Sequence, residues 1–224
     1  MRFIAYTGAC DMSLSLTKAV ILAGGSSRRM GGGDKPLLAL ANRPILDWIV
    51  DRLKPQVEGL AISANGDPNR LHAYGLEILS DHTPNLGPMS GILAALNWAR
   101  QTAPETTHVL TVSGDTPFLP SDLVARLYNA IRDDNSSMAT AASGGELHAT
   151  VSLWPISAST AISESLGSGE GKRVNYWLQT LNTKAVEWPN SPIDPFFNIN
   201  TPNDFLEAER LAKFFPNPNP ITFG

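Results

Sequence analysis

A short apolar strand that runs directly into a glycine-rich, cationic loop is the feature that most constrains this chain. Residues 19–23 have the length and β-branched content of a buried parallel strand. The loop that follows contains five glycines, which lack Cβ atoms and let backbone N–H groups approach a ligand closely. Arg28, Arg29 and Lys35 add positive charge to this loop. A strand that ends in such a loop favours phosphate binding over a plain surface loop.

Two common phosphate-binding motifs are excluded by the same residues. The Walker pattern fails because Lys35 follows Asp34 and precedes Pro36. The dinucleotide fingerprint fails because the third position, counted from Gly31 and Gly33, falls on Pro36. The loop is therefore neither of the ATPase type nor of the NAD-binding type.

The loop closely resembles the signature of the molybdenum cofactor guanylyltransferases, which is approximately L-A-G-G-x-S-x-R-M-G-G-x-D-K. The residues that match it without a gap are Leu22, Ala23, Gly24, Gly25, Ser27, Arg29, Met30, Gly31, Gly32, Asp34 and Lys35. Sugar-phosphate nucleotidyltransferases, and the cytidylyltransferase that acts on the same pterin, usually carry alanine in place of Gly24. The Gly24-Gly25 pair is similar to the guanine-selecting version. The resemblance implies that Leu22, Ala23, the two glycines and Lys35 contact GTP.

Composition limits the class of protein. With 224 residues, 42% hydrophobic and 17% charged, the chain fits one ordinary soluble α/β domain. A net charge of −4 offers no electrostatic footprint for nucleic acid or an anionic membrane, so we expect neither partner. The single cysteine, Cys10, excludes an internal disulfide framework and suits a reducing cytoplasm, which is the expected location.

The domain organisation is predicted as one unit with two loose ends. We expect a single nucleotidyltransferase domain over residues 18–213. Residues 1–17 match nothing in the family and are expected to be a disordered extension. They lack a sustained apolar stretch, so a signal peptide is not expected. Residues 214–224, rich in proline and asparagine, are expected to be a tail.

Alternating strand and helix patterns predict the fold. In the first half, strands are predicted at 60–64, 76–79 and 108–112, and helices at 44–53, 88–100 and about 121–132, with Ser121 as N-cap. This alternation predicts an α/β fold with a Rossmann-like, doubly wound, mostly parallel sheet in three layers, α/β/α. In the second half, strands are predicted at 138–142, 150–153 and 185–188, and helices at 156–166, 172–181 and 201–214. These elements form a mixed extension and the acceptor side of a cleft.

Asp115 is the strongest catalytic candidate, because it follows an apolar strand through a glycine. A carboxylate at the carboxyl end of a parallel strand can hold Mg²⁺, although such a residue also commonly forms turns or caps. Residues 114–120 closely resemble the metal-binding motif of the guanylyltransferases, which implies that Asp115 binds Mg²⁺ and GTP. Lys35 would neutralise an α- or β-phosphate as a mobile point charge, with Arg29 as a second cation.

Three further residues are assigned to the nucleotide side. Asn65 ends a strand, where its amide would read a base or sugar edge or form a turn before Gly66. Asp81 ends the next strand and precedes G-P-M-S-G, where the family usually has G-P-L-A-G. The resemblance implies that Asn65 and Asp81 contact GTP, while Gly87 allows close backbone approach.

The last motif lies near the end of the chain. Pro202 fits the first turn of a helix that Thr201 caps, which is a sufficient structural explanation of both residues. The run N-I-N-T-P-x-D also closely matches a guanylyltransferase motif, and the resemblance implies that Asn198 and Asn200 contact the pterin acceptor. His148 stands where the family often has His-Pro, but Ala149 follows it, so the sequence assigns it no role.

The resemblance covers residues 18–213 and implies an enzyme that transfers GMP from GTP to the terminal phosphate of molybdopterin or molybdenum cofactor. The products would be the guanine dinucleotide cofactor and pyrophosphate, with Mg²⁺ as cofactor. A monomer with transient contacts to cofactor-biosynthesis or molybdoenzyme partners is expected. The alternatives are a nucleotidyltransferase of other specificity, such as the cytidylyltransferase or a sugar-1-phosphate enzyme, and a non-catalytic nucleotide- or cofactor-binding protein.

Overall fold

The computed structural model describes residues 17–24, 34–80, 87–134, 136–169 and 173–214. Most of the glycine-rich loop, residues 25–33, lies outside the described residues, as do residues 81–86 and nearly all of the predicted extension and tail. At the first boundary, Thr17 is buried and its carbonyl accepts a hydrogen bond from the backbone N–H of Glu58 at 3.0 Å.

One central sheet organises the described part of the chain. Its strands are β1 (Lys18–Leu22), β2 (Gly59–Ser63), β3 (Glu77–Leu79), β4 (His108–Ser113), β5 (Met138–Ser143), β6 (Glu146–Pro155) and β7 (Thr183–Trp188). They lie in the spatial order β3-β2-β1-β4-β6-β5-β7. Every neighbouring pair among these strands is parallel except the two pairs that involve β6. The predicted mostly parallel sheet is confirmed.

Helices cover both faces of this sheet. They are α1 (Ile45–Leu53), α2 (Pro88–Thr102), α3 (Leu123–Asp134), α4 (Ser159–Gly167), α5 (Val174–Thr180) and α6 (Pro202–Phe214). The first core cluster joins the sheet to α1, α3 and α6, and the second joins it to α2, α4 and α5. Along β1, Ile21 belongs to the first cluster and Val20 to the second, as the alternation of strand side chains requires. The predicted three layers are confirmed. No helix in the described ranges is both long and apolar enough to cross a membrane.

The carboxyl ends of the three central strands are level. Leu22 at the end of β1 pairs in register with Ser63 of β2 and Ser113 of β4. The pairing continues one residue further, because Ala23 N–H donates to the Ser63 carbonyl at 2.8 Å and Gly114 N–H donates to the Leu22 carbonyl at 3.0 Å. A Cβ on Gly114 would lie 3.0 Å from the Leu22 carbonyl oxygen, so a side chain there would crowd the backbone. The predicted phosphate loop and Asp115 therefore leave the sheet side by side.

The second half differs from the sequence prediction in several details. Strand β6 begins at Glu146, four residues before the predicted strand. The prediction missed these residues because they are exposed or half-buried and show no apolar run. A two-glycine turn, Gly144 and Gly145, with φ of +56° and +82°, joins it to β5. The predicted helix at 156–166 is a 3₁₀ turn followed by α4. Helix α3 begins at Leu123, so the N-cap position falls on Asp122, and the prediction of Ser121 was wrong.

Candidate active site

Three of the predicted site residues meet at the carboxyl edge of the sheet. Lys35 Nζ donates to Asp115 Oδ2 at 2.5 Å and to Asn200 Oδ1 at 2.9 Å. The side chains of Lys35 and Asp115 are only 14% and 16% exposed. Lys35 is therefore not the solvated lysine of a helix start. Its ammonium joins the predicted phosphate loop, the candidate metal ligand and the predicted acceptor motif.

Lys35 is positioned by the turn in which it lies. It begins a 3₁₀ helix, Lys35–Leu37, in which the Leu38 N–H donates to the Lys35 carbonyl. Pro36 is buried, and a Cβ on Gly114 would lie 3.3 Å from its ring. The turn therefore packs directly against the chain that leads from β4 to Asp115, which brings the two charges together.

Asp115 is held by both its side chain and its backbone. Ser113 Oγ donates to Asp115 Oδ1 at 2.6 Å, and the Asp115 carbonyl accepts from the Ile199 N–H at 3.1 Å. The second bond ties the strand end to the asparagine motif near the end of the chain. Ser113 was not predicted as a site residue, although its position two residues before the carboxylate was a usable signal.

Asn200 is positioned by the start of α6. Thr201 Oγ1 accepts from the Asp204 N–H at 3.2 Å, which confirms the predicted cap. Asp204 Oδ2 in turn accepts from the N–H groups of Asn200 and Thr201, each at 2.8 Å. Burial opposes ionisation of Asp204, but these hydrogen bonds and the charge of Lys35 outweigh it, so the pKa of Asp204 is lowered. Asp204 is a supporting residue that the sequence analysis did not single out.

The remaining predicted acceptor contact lies in the same segment. Asn198 and Asn200 are exposed on either side of Ile199, which is fully buried. Burial of Ile199 anchors the segment, so that both asparagine residues are presented at the surface beside Asp115.

The predicted nucleotide contacts that the structure describes lie along the same edge. Leu22 ends β1, Ala23 is buried, and Gly24 is exposed just beyond them. Asn65 is exposed two residues after the end of β2. Gly87 precedes α2 with φ of +66°, a conformation that glycine adopts readily. The first turn of α2 lies near the same edge.

Three predicted contacts cannot be placed. Gly25 and Arg29 belong to residues 25–33, and Asp81 belongs to residues 81–86, both outside the described residues. Their assignment to phosphate or nucleotide binding stays a prediction.

The donor set at Asp115 fits a magnesium ion that is shared with a substrate. Its carboxylate oxygens are hard ligands and are partly accessible, and Lys35 occupies the cation position at Oδ2 that a metal would take. Within the described residues there is no group of three or more histidine, cysteine, aspartate or glutamate side chains that could hold a metal. A single carboxylate suits Mg²⁺, which keeps waters and completes its coordination with substrate phosphates.

His148 lies in a hydrogen-bonded chain that the sequence did not reveal. Ser143 Oγ donates to Asp194 Oδ1 at 2.8 Å and lies 2.7 Å from His148 Nε2. Because the hydroxyl proton is directed at the carboxylate, Nε2 is the donor to Ser143. Asp194 Oδ1 also accepts from the Phe196 N–H at 2.9 Å, and the His148 ring lies 4.7 Å from that of Phe196. The chain links the β5–β6 hairpin to the segment that leads to Asn198.

This histidine predicts a pH dependence of stability. Burial lowers the pKa of His148 below its ordinary 6.5, although Asp194, Glu146 and Glu187 oppose the change. The folded state then binds fewer protons than the unfolded state. The contribution of His148 to the free energy of unfolding is therefore complete above pH 6.5 and is lost as the pH falls through the lowered pKa of the folded state. Between about pH 7.5 and about pH 5.5, we expect the melting temperature of His148→Gln to fall less than that of the wild type.

Thermal unfolding at a series of pH values measures this difference. Burial also lowers the pKa of His108, so a second decline remains in the variant. His72 is exposed, and His72→Gln is the matched control that should follow the wild-type curve. A His148→Gln curve parallel to that of the wild type would contradict the prediction.

An open, mostly parallel α/β sheet that presents a lysine, a carboxylate and an amide at its carboxyl edge has the parts that a nucleotidyltransferase requires. The similarity of the chain to known families agrees with this class of enzyme. The family model described as the MobA-like NTP transferase domain matches residues 19–182. The chain belongs to this family.

Similar proteins carry names that specify the family further. A Bradyrhizobium protein named molybdenum cofactor guanylyltransferase is 45% identical over 205 residues, which cover 90% of this chain and 97% of that protein. A protein of the same name from Mesorhizobium japonicum is 46% identical over 198 residues, which cover 87% and 95%. The crystal structure of molybdopterin-guanine dinucleotide biosynthesis protein A from Archaeoglobus fulgidus superposes with a TM-score of 0.69 at 21% identity, over 88% of this chain and 99% of that one. That structure shows a shared fold.

Proposed function

We propose that this protein transfers GMP from GTP to the terminal phosphate of molybdopterin or molybdenum cofactor. The observation that carries the proposal is the position of Lys35 Nζ between Asp115 and Asn200. One ammonium thereby connects the phosphate loop, the candidate metal ligand and the acceptor motif. The names of the similar proteins supply the identity of the two substrates.

The reaction needs alignment and charge relief more than acid–base catalysis. The acceptor phosphate is already anionic at neutral pH, so its oxygen attacks the α-phosphorus of GTP without a general base. A new P–O bond forms between the acceptor and the α-phosphorus as the α–β bridge breaks and pyrophosphate leaves. The barrier arises largely from bringing two anions together, which positioned cations and dipoles lower.

Lys35 and Asp115 would provide this relief together. In the structure the lysine charge is satisfied by the carboxylate. Triphosphate oxygens would compete for the same ammonium, and the Asp115 carboxylate would then be available to hold Mg²⁺. The metal, when bound, withdraws charge from the phosphate oxygens. Lys35 then acts as a mobile point charge on the phosphates.

Asn200 and Asn198 would form the acceptor side. Asn200 Oδ1 accepts from Lys35, so its NH₂ group is left as a donor for an acceptor phosphate or pterin oxygen. Ser113 and Asp204 contact neither substrate in this proposal. They hold Asp115 and Asn200, respectively, in place.

A panel of nucleotides tests the proposal. The purified protein is incubated with Mg²⁺, molybdopterin or its molybdenum-loaded form, and GTP, CTP, ATP or UTP separately. We expect pyrophosphate and the dinucleotide product with GTP. With CTP, we expect kcat/KM to be lower than with GTP by roughly 100-fold or more, because a site that hydrogen-bonds one base rejects another strongly.

Two controls and two outcomes define this test. Pyrophosphate release without acceptor must be near zero, and the dinucleotide product must be identified directly. A preference for CTP would replace the proposed substrate with that of the cytidylyltransferase. Nucleotide binding with no pyrophosphate from any nucleotide would indicate a carrier rather than an enzyme.

A further inference from the structure

Arg70 joins two parts of the predicted nucleotide site that are far apart in sequence. It lies in a 3₁₀ helix, Pro68–Tyr74, that follows β2. Its Nε forms an ion pair with the carboxylate of Asp34. Its Nη1 donates to the Asp67 carbonyl at 2.5 Å, and its Nη2 donates to the Asn65 carbonyl at 2.7 Å. All three nitrogens of one planar guanidinium are therefore engaged.

The first partner belongs to the phosphate side. Asp34 occupies the N-cap position of the turn that begins with Lys35, yet its side chain makes no capping hydrogen bond. An aspartate at this position ordinarily accepts from the first turn. Here the carboxylate is turned to Arg70 instead, which fixes the residue directly before Lys35. The ion pair also compensates the negative charge of the residue directly before Lys35.

The second and third partners belong to the base side. Gly66 has φ of +86°, so the chain reverses between the two carbonyls and directs both of them to Arg70. Asp67 in turn accepts from the Asn69 N–H at 2.9 Å, which closes the loop. Asn65 lies one residue after Ala64, whose N–H donates to the Leu79 carbonyl at 3.0 Å. The backbone of Asn65 is thus held from both sides.

We infer that Arg70 is a positioning residue for the nucleotide, one that sets the base-side loop at Asn65 against the phosphate-side turn at Lys35. This inference rests on the proposed function, because it requires that both of these residues face GTP. Arg70 itself touches no reacting atom. Only a planar guanidinium supplies three donors in fixed directions, so lysine is not an equivalent replacement.

Steady-state kinetics with separate substrate titrations test the inference. We expect Arg70→Ala to raise the KM for GTP roughly tenfold, the scale of losing a charge-assisted hydrogen bond. The KM for molybdopterin should stay within about twofold, and the ratio of kcat/KM for GTP over ATP should fall, because the base-side loop is no longer fixed. Arg70→Lys should behave like Arg70→Ala, since an ammonium cannot reach all three acceptors.

The controls separate positioning from general loss of structure. Arg210 forms an exposed ion pair with Glu207 on α6, so Arg210→Ala should leave both KM values unchanged. Asp34→Asn tests the same link from its other end if Arg70→Ala fails to fold. Combined with Arg70→Ala, it should add little to the increase in KM, because both changes break one contact.

Several results would overturn the inference. They are an unchanged KM for GTP in Arg70→Ala, an equal rise in both KM values, full recovery in Arg70→Lys, and additive effects of the two substitutions. Failure of the proposed function looks different, because the wild-type protein would then make no guanine dinucleotide product at all. The two failures are therefore distinguishable in one set of assays.

Discussion

Replacement of Asp115 by asparagine is expected to reduce the kcat of guanylyl transfer by roughly 10²- to 10³-fold, a loss of several kcal/mol of transition-state stabilisation. Asparagine keeps the shape of the side chain, and its one carbonyl oxygen can still accept from Lys35, while its NH₂ group takes the place of the oxygen that accepts from Ser113. It loses the negative charge that would hold Mg²⁺ between the protein and the triphosphate. The variant should consequently need a higher Mg²⁺ concentration for its residual activity, which a magnesium titration of the pyrophosphate release rate measures.

Asp51→Asn is the matched control for this prediction. Asp51 lies on α1, where its carboxylate forms an ion pair with Arg43 at 2.5 Å and is 39% exposed. The same chemical change there should leave kcat within about twofold, because surface ion pairs contribute little. Circular dichroism and melting temperature verify that both variants are folded. Near-normal kcat in folded Asp115→Asn would remove this residue from the reaction.

Replacement of Lys35 by methionine is the second change with a large expected effect. Methionine matches the lysine stem in length but carries no charge, so the phosphates lose a mobile cation and Asp115 loses its partner. We expect kcat/KM for GTP to fall roughly 10²- to 10³-fold, with weaker GTP binding in the absence of acceptor. Equilibrium binding of GTP and single-turnover kinetics separate the two contributions.

Lys18→Met is the matched control, because Lys18 lies at the amino end of β1, away from the carboxyl edge where Lys35 lies. Lys18 begins β1 and lies 3.9 Å from Glu58, whereas Lys35 follows the loop at the carboxyl end of that strand. Removing this charge should alter GTP binding by less than about twofold. Lys35→Arg is informative as well, because a bulkier, planar cation should restore only part of the activity. Wild-type turnover in Lys35→Met would exclude a role in phosphate binding.

The central sheet was predictable because its signals are local. Strand β4 is mostly apolar and its four central residues are buried, as expected for a strand with helices on both faces, and Asp115 follows it through one glycine. The resemblance assigned Lys35, Asp115 and Asn200 to one reaction, and their meeting agrees with the rule that ligands lie beyond the carboxyl ends of such strands. Assigning these residues to the carboxyl edge of the sheet did not require the directions of their side chains.

The supporting contacts were not predictable, because they depend on pairing between distant segments. Arg70 binds two backbone carbonyls, and any residue type supplies a carbonyl, so no sequence pattern marks the site. The contact of His148 with Ser143 depends on the pairing of β5 and β6, whose register shifts between Thr140 and Ala141. The exposed first half of β6 also hid the strand that carries His148, since only its buried end has an apolar pattern.

Lys35 and Asn200 are in contact although 165 positions separate them. At typical rates of protein synthesis, roughly 8 to 33 seconds pass between the incorporation of these two residues. Asp115 is added 80 positions after Lys35, and from that point the growing chain contains Lys35 and Asp115 but not the amide that completes their arrangement. The capped start of α6 is the last part of the arrangement to leave the ribosome. A partly synthesised chain that ends before Asn200 therefore lacks the predicted acceptor contact of Lys35, and the proposed transfer requires synthesis to have passed the start of α6.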